Sequence, residues 1–253
     1  MLRNVNPLIG YTLQAEDGPL GKVDDLLFTD ADWILRYLVV DTGDWLVERK
    51  IIIPCGMLGQ PRWEAKVFPV ALTKQQVQDS PPLDADAPVS RQHENRLLNY
   101  LSIHPYWTGE AMGGGFPAGR REDQGPLGEI QPEREPSESE CPGGNLRSCD
   151  EVSGYRMGAR DGDIGHLDDF LIDDYSWTIR YLIVATRNWL PGRKVLIAPS
   201  WVSEIEWDSG RVRVDLTRES IQESPEYDPD EVVTRDYEER LFAHHRRPPY
   251  WND

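Results

Sequence analysis

From Ile34 the chain reads Ile-Leu-Arg-Tyr-Leu-Val-Val-Asp. As a strand, Ile34, Arg36, Leu38 and Val40 share one face, and Leu35, Tyr37 and Val39 the other. Both faces are largely apolar. A small barrel has one inner face, so the outer face must be covered by the tail, a sister domain or a partner. The tract 41–44 (DTGD) predicts a tight turn with Gly43 at positive φ, and 45–54 (WLVERKIIIP) predicts the returning strand. Upstream, 21–30 (GKVDDLLFTD) has strand character ending in turn residues. A shorter hairpin is expected around Trp63, with 66–73 (KVFPVALT) as its last strand. Thr73 is a suitable N-cap for a helix of about two turns that the following Ser-Pro stops. A second, one-sided helix is expected over 89–101, and the unit closes on Pro105-Tyr106-Trp107. An aromatic pair at such an end most often docks on its own domain.

The same order of features returns. Gly10 matches Gly154, Trp33 matches Trp177 and Tyr106 matches Tyr250, each 144 positions on, and the register holds without a gap from Gly10 through Trp107. Such register implies tandem duplication of a whole domain. Between the copies lies a tract dense in Gly, Pro, Glu and Ser that cannot bury enough surface to offset the entropy of ordering. The expected organisation is domain 1 at 1–109 with a helical tail, a flexible linker at 110–149, and domain 2 at 150–253 with its own tail. The fold class expected is mainly β: two small tandem barrels, each with a short helix and a C-terminal helical tail.

The 253 residues carry a formal net charge of −17. Such a chain repels phosphate backbones and anionic lipid, which argues against nucleic acid and acidic membranes as partners and favours solubility or a basic partner. No apolar run approaches the ~20 residues of a membrane span, and 1–11 lacks the apolar region of a secretory signal. A cytoplasmic location is expected. Three cysteines suit a reducing compartment. Cys141 and Cys149 could pair under oxidation but lack zinc-knuckle spacing, and nothing near Cys55 in sequence would lower its pKa.

The stretches 21–54 and 165–199 resemble the PRC-barrel family, which includes the cytoplasmic part of the photosynthetic reaction centre H subunit and the C-terminal domain of a ribosome maturation factor. The shared pattern is Gly-x-(Val/Leu)-Asp-Asp, then Arg-Tyr-Leu-(Val/Ile)-Val, then Arg-Lys and an apolar strand. The resemblance implies a small, closed or nearly closed β-barrel used as a binding platform, and it carries over no catalytic residue.

Two carboxylate pairs, Asp24-Asp25 and Asp168-Asp169, are the strongest chemical candidates. Adjacent strand residues point to opposite faces unless a bulge intervenes, so the bland reading is turn or bulge chemistry, or an ion pair with Arg36 or Arg180. Those two arginines lie within apolar strands and need partners if buried. The five histidines share no position between copies, and no phosphate loop, nucleophile elbow or zinc-helix motif is present. No catalytic residue, metal or cofactor is therefore assigned.

Three functions remain in view. The first is a non-enzymatic adaptor that docks a protein partner through Trp33, Tyr37, Trp45, Trp177, Tyr181 and Trp189, with the two domains packing as a pseudo-dimer or the chain forming a homo-oligomer. The second, from family analogy, is an accessory to photosynthetic or quinone-linked electron transfer that binds a small cofactor. The third is a hydrolase built on the Asp pairs.

Overall fold

The computed structural model describes residues 1–46, 50–81, 89–108, 143–186 and 192–252. They form two compact units: Pro7–Ser148, and Met1–Asn6 together with Cys149–Asp253. This division differs from the one expected at residues 109 and 150. The first six residues join the later unit, and residues 143–148, assigned above to the linker, join the earlier one.

In the unit Pro7–Ser148, β2 (Thr12–Ala15), β3 (Gly18–Thr29), β4 (Ile34–Asp41), β5 (Lys50–Pro54) and β6 (Val67–Pro69) are ordered β5-β4-β3-β2-β6. The pairs β2–β3, β3–β4 and β4–β5 are antiparallel, and β2–β6 is parallel. A further strand, β7 (Leu146–Ser148), lies along β3. Gly43 takes φ +60° in the β4–β5 connection, as the turn requires. The returning strand begins at Lys50, because Gly43–Leu46 coil into a 3-10 turn first. At Gly21, φ +156°, a Cβ would sit 2.1 Å from the Asp41 carbonyl oxygen, so any other residue would force the backbone to shift.

The ladder does not close into a barrel. β6 is three residues long and ends on Pro69, which has no N–H to offer. β5 runs into the 3-10 turn Cys55–Met57, and the segments beyond the two edges meet through an isolated bridge, Leu58 to Val70, and the backbone bonds Gly59 N to Pro69 O and Ala71 N to Met57 O, not through a ladder. Inside lie Leu13, Leu20, Leu26, Phe28, Leu38 and Phe68, all fully buried.

Two short helices complete the unit. α1 (Lys74–Gln78) starts on Thr73, whose side chain accepts from Gln76 N while the Gln76 side chain accepts from Thr73 N, a reciprocal capping box. α2 (Arg91–Tyr100) starts on Ser90, capped at His93 N. Its Leu97 and Leu98 pack with Leu27, Tyr37, Val39, Ile52 and Tyr106 over the outer face of β3–β5. The tail thus covers the second apolar face that the strand pattern demanded. Each fully buried side chain there contributes about 1.5–3 kcal/mol.

The other unit repeats this order. β8 (Arg156–Ala159), β9 (Gly162–Asp173), β10 (Ile179–Ala185), β11 (Lys194–Ile197), β12 (Val202–Glu206) and β13 (Arg211–Val214) run β11-β10-β9-β8-β13-β12, and β1 (Leu2–Asn4) lies along β9. The end strands β11 and β12 are joined by the 3-10 turn Pro199–Trp201 rather than by a ladder, so this sheet is also open. α3 (Cys149–Val152), α4 (Arg218–Gln222, capped by Thr217) and α5 (Arg235–His244, capped by Thr234) are its helices. Leu241 and Phe242 of α5 are buried, as is Tyr181 of β10. No described helix is long and apolar enough to cross a membrane.

Candidate functional site

The most concentrated polar chemistry lies under each tail helix. On α2 a spacing of three places Arg91 and Glu94 on neighbouring turns. Glu94 is 2% exposed. Its Oε2 accepts from Tyr37 Oη at 3.0 Å and from Tyr106 Oη at 2.9 Å, while its Oε1 lies 3.0 Å from Arg91 Nη1. Arg91 also donates to Tyr106 Oη (2.9 Å) and to the Gly144 carbonyl (2.5 Å). Its guanidinium lies 4.0 Å from the Trp107 ring centroid, and that of Arg36 lies 4.1 Å from Tyr106. Strand, helix and closing aromatic pair are thereby tied to one buried carboxylate.

The second unit builds the same clamp. Glu238 Oε1 accepts from Tyr181 Oη (2.8 Å) and Tyr250 Oη (2.9 Å), and Arg235 Nη1 lies 3.2 Å from Glu238 Oε2. Arg235 stacks on Trp251 at 3.9 Å and Arg180 on Tyr250 at 4.2 Å. This version is wetter, since the Arg235 side chain is about half exposed.

Burial sets the electrostatics. It pushes the Glu94 carboxyl above its usual range, with Arg91 and the two phenols opposing. Tyr37, Tyr106 and Tyr181 are held well above the usual tyrosine value by burial and by the adjacent carboxylate. Tyr250 is raised, by the same causes, to about 12. The clamp therefore holds neutral phenols donating to a carboxylate.

The Asp pairs form a second recurring arrangement. The β3–β4 register shifts between Val23 and Asp25, and the β9–β10 register shifts beside Asp168, so Asp24 and Asp168 are the extra residues of β-bulges. Asp24 binds Lys50 Nζ at 2.8 Å and Asp168 binds Lys194 Nζ at 2.7 Å. Asp25 accepts from Leu26 N (2.7 Å) and Ser148 Oγ (2.5 Å). Asp169 accepts from Phe170 N (2.7 Å) and Asn6 N (3.0 Å). Burial raises the Asp169 carboxyl to about 6 against those bonds. The two carboxylates of each pair thus serve different partners.

The ion-pair partners differ from those expected. The lysines that begin β5 and β11, Lys50 and Lys194, take Asp24 and Asp168. Arg36 instead binds Asp32 and donates to Thr29 Oγ1 (3.0 Å), and Arg180 lies 3.7 Å from Asp173. Asp24 and Asp168 reach across β4 and β10 to those lysines, whereas Arg36, itself skipped in the β3–β4 register between Tyr37 and Leu35, stacks on Tyr106 of the tail.

Of the six residues proposed to dock a partner, Tyr37 and Tyr181 are 0% exposed. Their hydroxyls are committed to Glu94 and Glu238, which removes them from any docking surface. Trp33 and Trp177 are half-buried, both at positive φ (59° and 57°) in equivalent turns. Trp33 stacks on Phe28 with ring centroids 5.3 Å apart. Trp45 falls in the 3-10 turn Gly43–Leu46, its side chain not among those described, and Trp189 lies outside the described residues. Cys55 is buried and its thiol pushed up by that burial. Cys149 is buried at the start of α3, and Cys141 lies outside the described residues. No metal-ligating cluster occurs among the described residues.

The sequence pattern contains the clamp's Arg91, Glu94, Arg235 and Glu238, and the Arg-Lys step contains Lys50 and Lys194, but none of them was given a partner from sequence. The available signal was recurrence: each charged pair reappears 144 positions on.

Residues 3–71 match the family model of the PRC-barrel domain. No curated protein matched the chain.

Proposed function

We propose that the chain is a non-enzymatic scaffold of two PRC-type modules that docks a protein partner bearing positive charge. One observation carries this reading. Four charge pairs that recur between the repeats are spent internally: Asp24–Lys50 and Asp168–Lys194, Arg91–Glu94 and Arg235–Glu238. Since neutral pairs leave the total unchanged, the formal charge of −17 belongs to the rest of the chain. A field of that sign speeds encounter with a cationic surface and gives salt-sensitive binding. The recurring residues hold scaffold together; recognition falls to the remaining acidic and half-buried aromatic surface, including Trp33 and Trp177. The quinone-linked alternative rests on family analogy alone.

The test is affinity capture with the full chain at about 50 and 300 mM salt, concentrations that shorten the screening length markedly. Specific partners of net positive charge, released at the higher salt, are expected. Capture confined to acidic proteins, or capture indifferent to salt, refutes the proposal.

A further inference from the structure

We infer that the two repeats are locked together by reciprocal exchange of their first strands, and that residues 109–142 are not needed for the lock. The inference rests on the 144-residue repeat and is independent of the proposed function. The family match begins at residue 3, inside β1, yet the compact unit formed by the rest of that stretch begins at Pro7. β1 instead pairs with β9, in the register Leu2–Asp173, Arg3–Ile172, Asn4–Leu171. β7 pairs with β3, in the register Leu146–Thr29, Arg147–Phe28, Ser148–Leu27. Every residue of the first set stands 144 positions from its counterpart in the second, with the repeats interchanged.

The side-chain chemistry is interchanged too. Asp174 receives Arg3 Nε at 2.7 Å and the Met1 amine at 2.6 Å. Its counterpart Asp30 receives Arg147 Nε at 3.2 Å and Asn145 N at 2.8 Å. Asp169 is hydrogen-bonded by the side chain of Asn4, and also by Asn6 N, as Asp25 is by Ser148 Oγ, the counterpart of Asn4. Asp174 N donates to Met1 O, as Asp30 N donates to Asn145 O. The second Asp of the Asp-Asp pair and the Asp at the end of the same strand are thus a receptor for a Leu-Arg-(Asn/Ser) strand. Each receptor holds the strand of the other repeat.

Two experiments test this on the full chain. In the first, a specific protease site is placed between residues 115 and 135 and cut after folding. The two fragments are expected to stay as one 1:1 complex of the parent mass at about 1 µM; separate fragments overturn the inference. In the second, Arg3→Glu and Arg147→Glu are made singly in the uncut chain and deuterium uptake is followed by peptide. Arg3→Glu is expected to raise uptake in Gly162–Asp173 and leave Gly18–Thr29 unchanged, and Arg147→Glu to do the reverse. If each substitution loosens the strand of its own repeat, or loosens neither, the exchange is refuted.

Discussion

Replacing Glu94 tests whether the clamp holds the tail to the sheet. Glu94→Ala leaves two buried phenol hydroxyls, those of Tyr37 and Tyr106, without their acceptor. Each costs about 1–3 kcal/mol. Arg91 loses its carboxylate but keeps the Gly144 carbonyl, the Tyr106 oxygen and the Trp107 face. The total expected is about 3–5 kcal/mol, the range for breaking a buried ion pair. Glu94→Gln separates the effects, because both phenols donate to the same oxygen. One amide carbonyl can serve both, and only the Arg91 side then faces an NH2 group. Its cost should be about 1–2 kcal/mol.

The nine tryptophans report on both units together, so denaturant titration should be read by deuterium uptake over 89–108. A cycle with Tyr37→Phe adds a check. That change should cost about 1 kcal/mol in the parent and close to nothing in Glu94→Ala. The clamp account fails if Glu94→Ala lies within about 1 kcal/mol of the parent, or if Gln costs as much as Ala.

Gly21→Ala and Gly165→Ala should each lower stability by about 1–3 kcal/mol or more, since the added Cβ would meet the Asp41 or Ala185 carbonyl oxygen at 2.1 or 2.0 Å. Urea titration checks this, and full stability in either variant contradicts the backbone contact. Asp169 and His245 should show opposite pH dependences: Asp169, raised to about 6, loses its contribution as pH rises from about 4 to 6, and His245, lowered by burial to about 4, loses its own as pH falls from about 6.5 to 4. Each amounts to at most about 3 kcal/mol, so Asp169→Asn should leave stability falling toward acid and His245→Leu should leave it falling toward neutral pH, and parallel profiles of the two variants would refute the assignment.

The sheet and its cover were legible because both signals are periodic. Alternation over 34–41 with apolar residues on both faces requires two covers, and a one-sided helix with a closing aromatic pair lies downstream to supply one. Tyr37 was misassigned to the surface because its hydroxyl partner, Glu94, lies 57 residues away, beyond any local period. Recurrence held that information: Arg36, Tyr37, Arg91, Glu94 and Tyr106 all reappear 144 positions on, and five polar or aromatic residues persisting together mark a shared contact. Strand alternation also predicted that adjacent aspartates diverge. They do serve different partners, but Asp24 sits at a bulge and reaches Lys50 rather than Arg36. The first strand escaped because three residues carry no period, although Leu2-Arg3 and Leu146-Arg147 recur. Its destination was hidden for a deeper reason. The slots at β3 and β9 present Asp30 or Asp174 and Asp25 or Asp169 in identical register, so side-chain chemistry scarcely distinguishes them. The backbone passes from one unit to the other at Asn6–Pro7 and at Ser148–Cys149, a property of the duplicated chain that neither copy states alone.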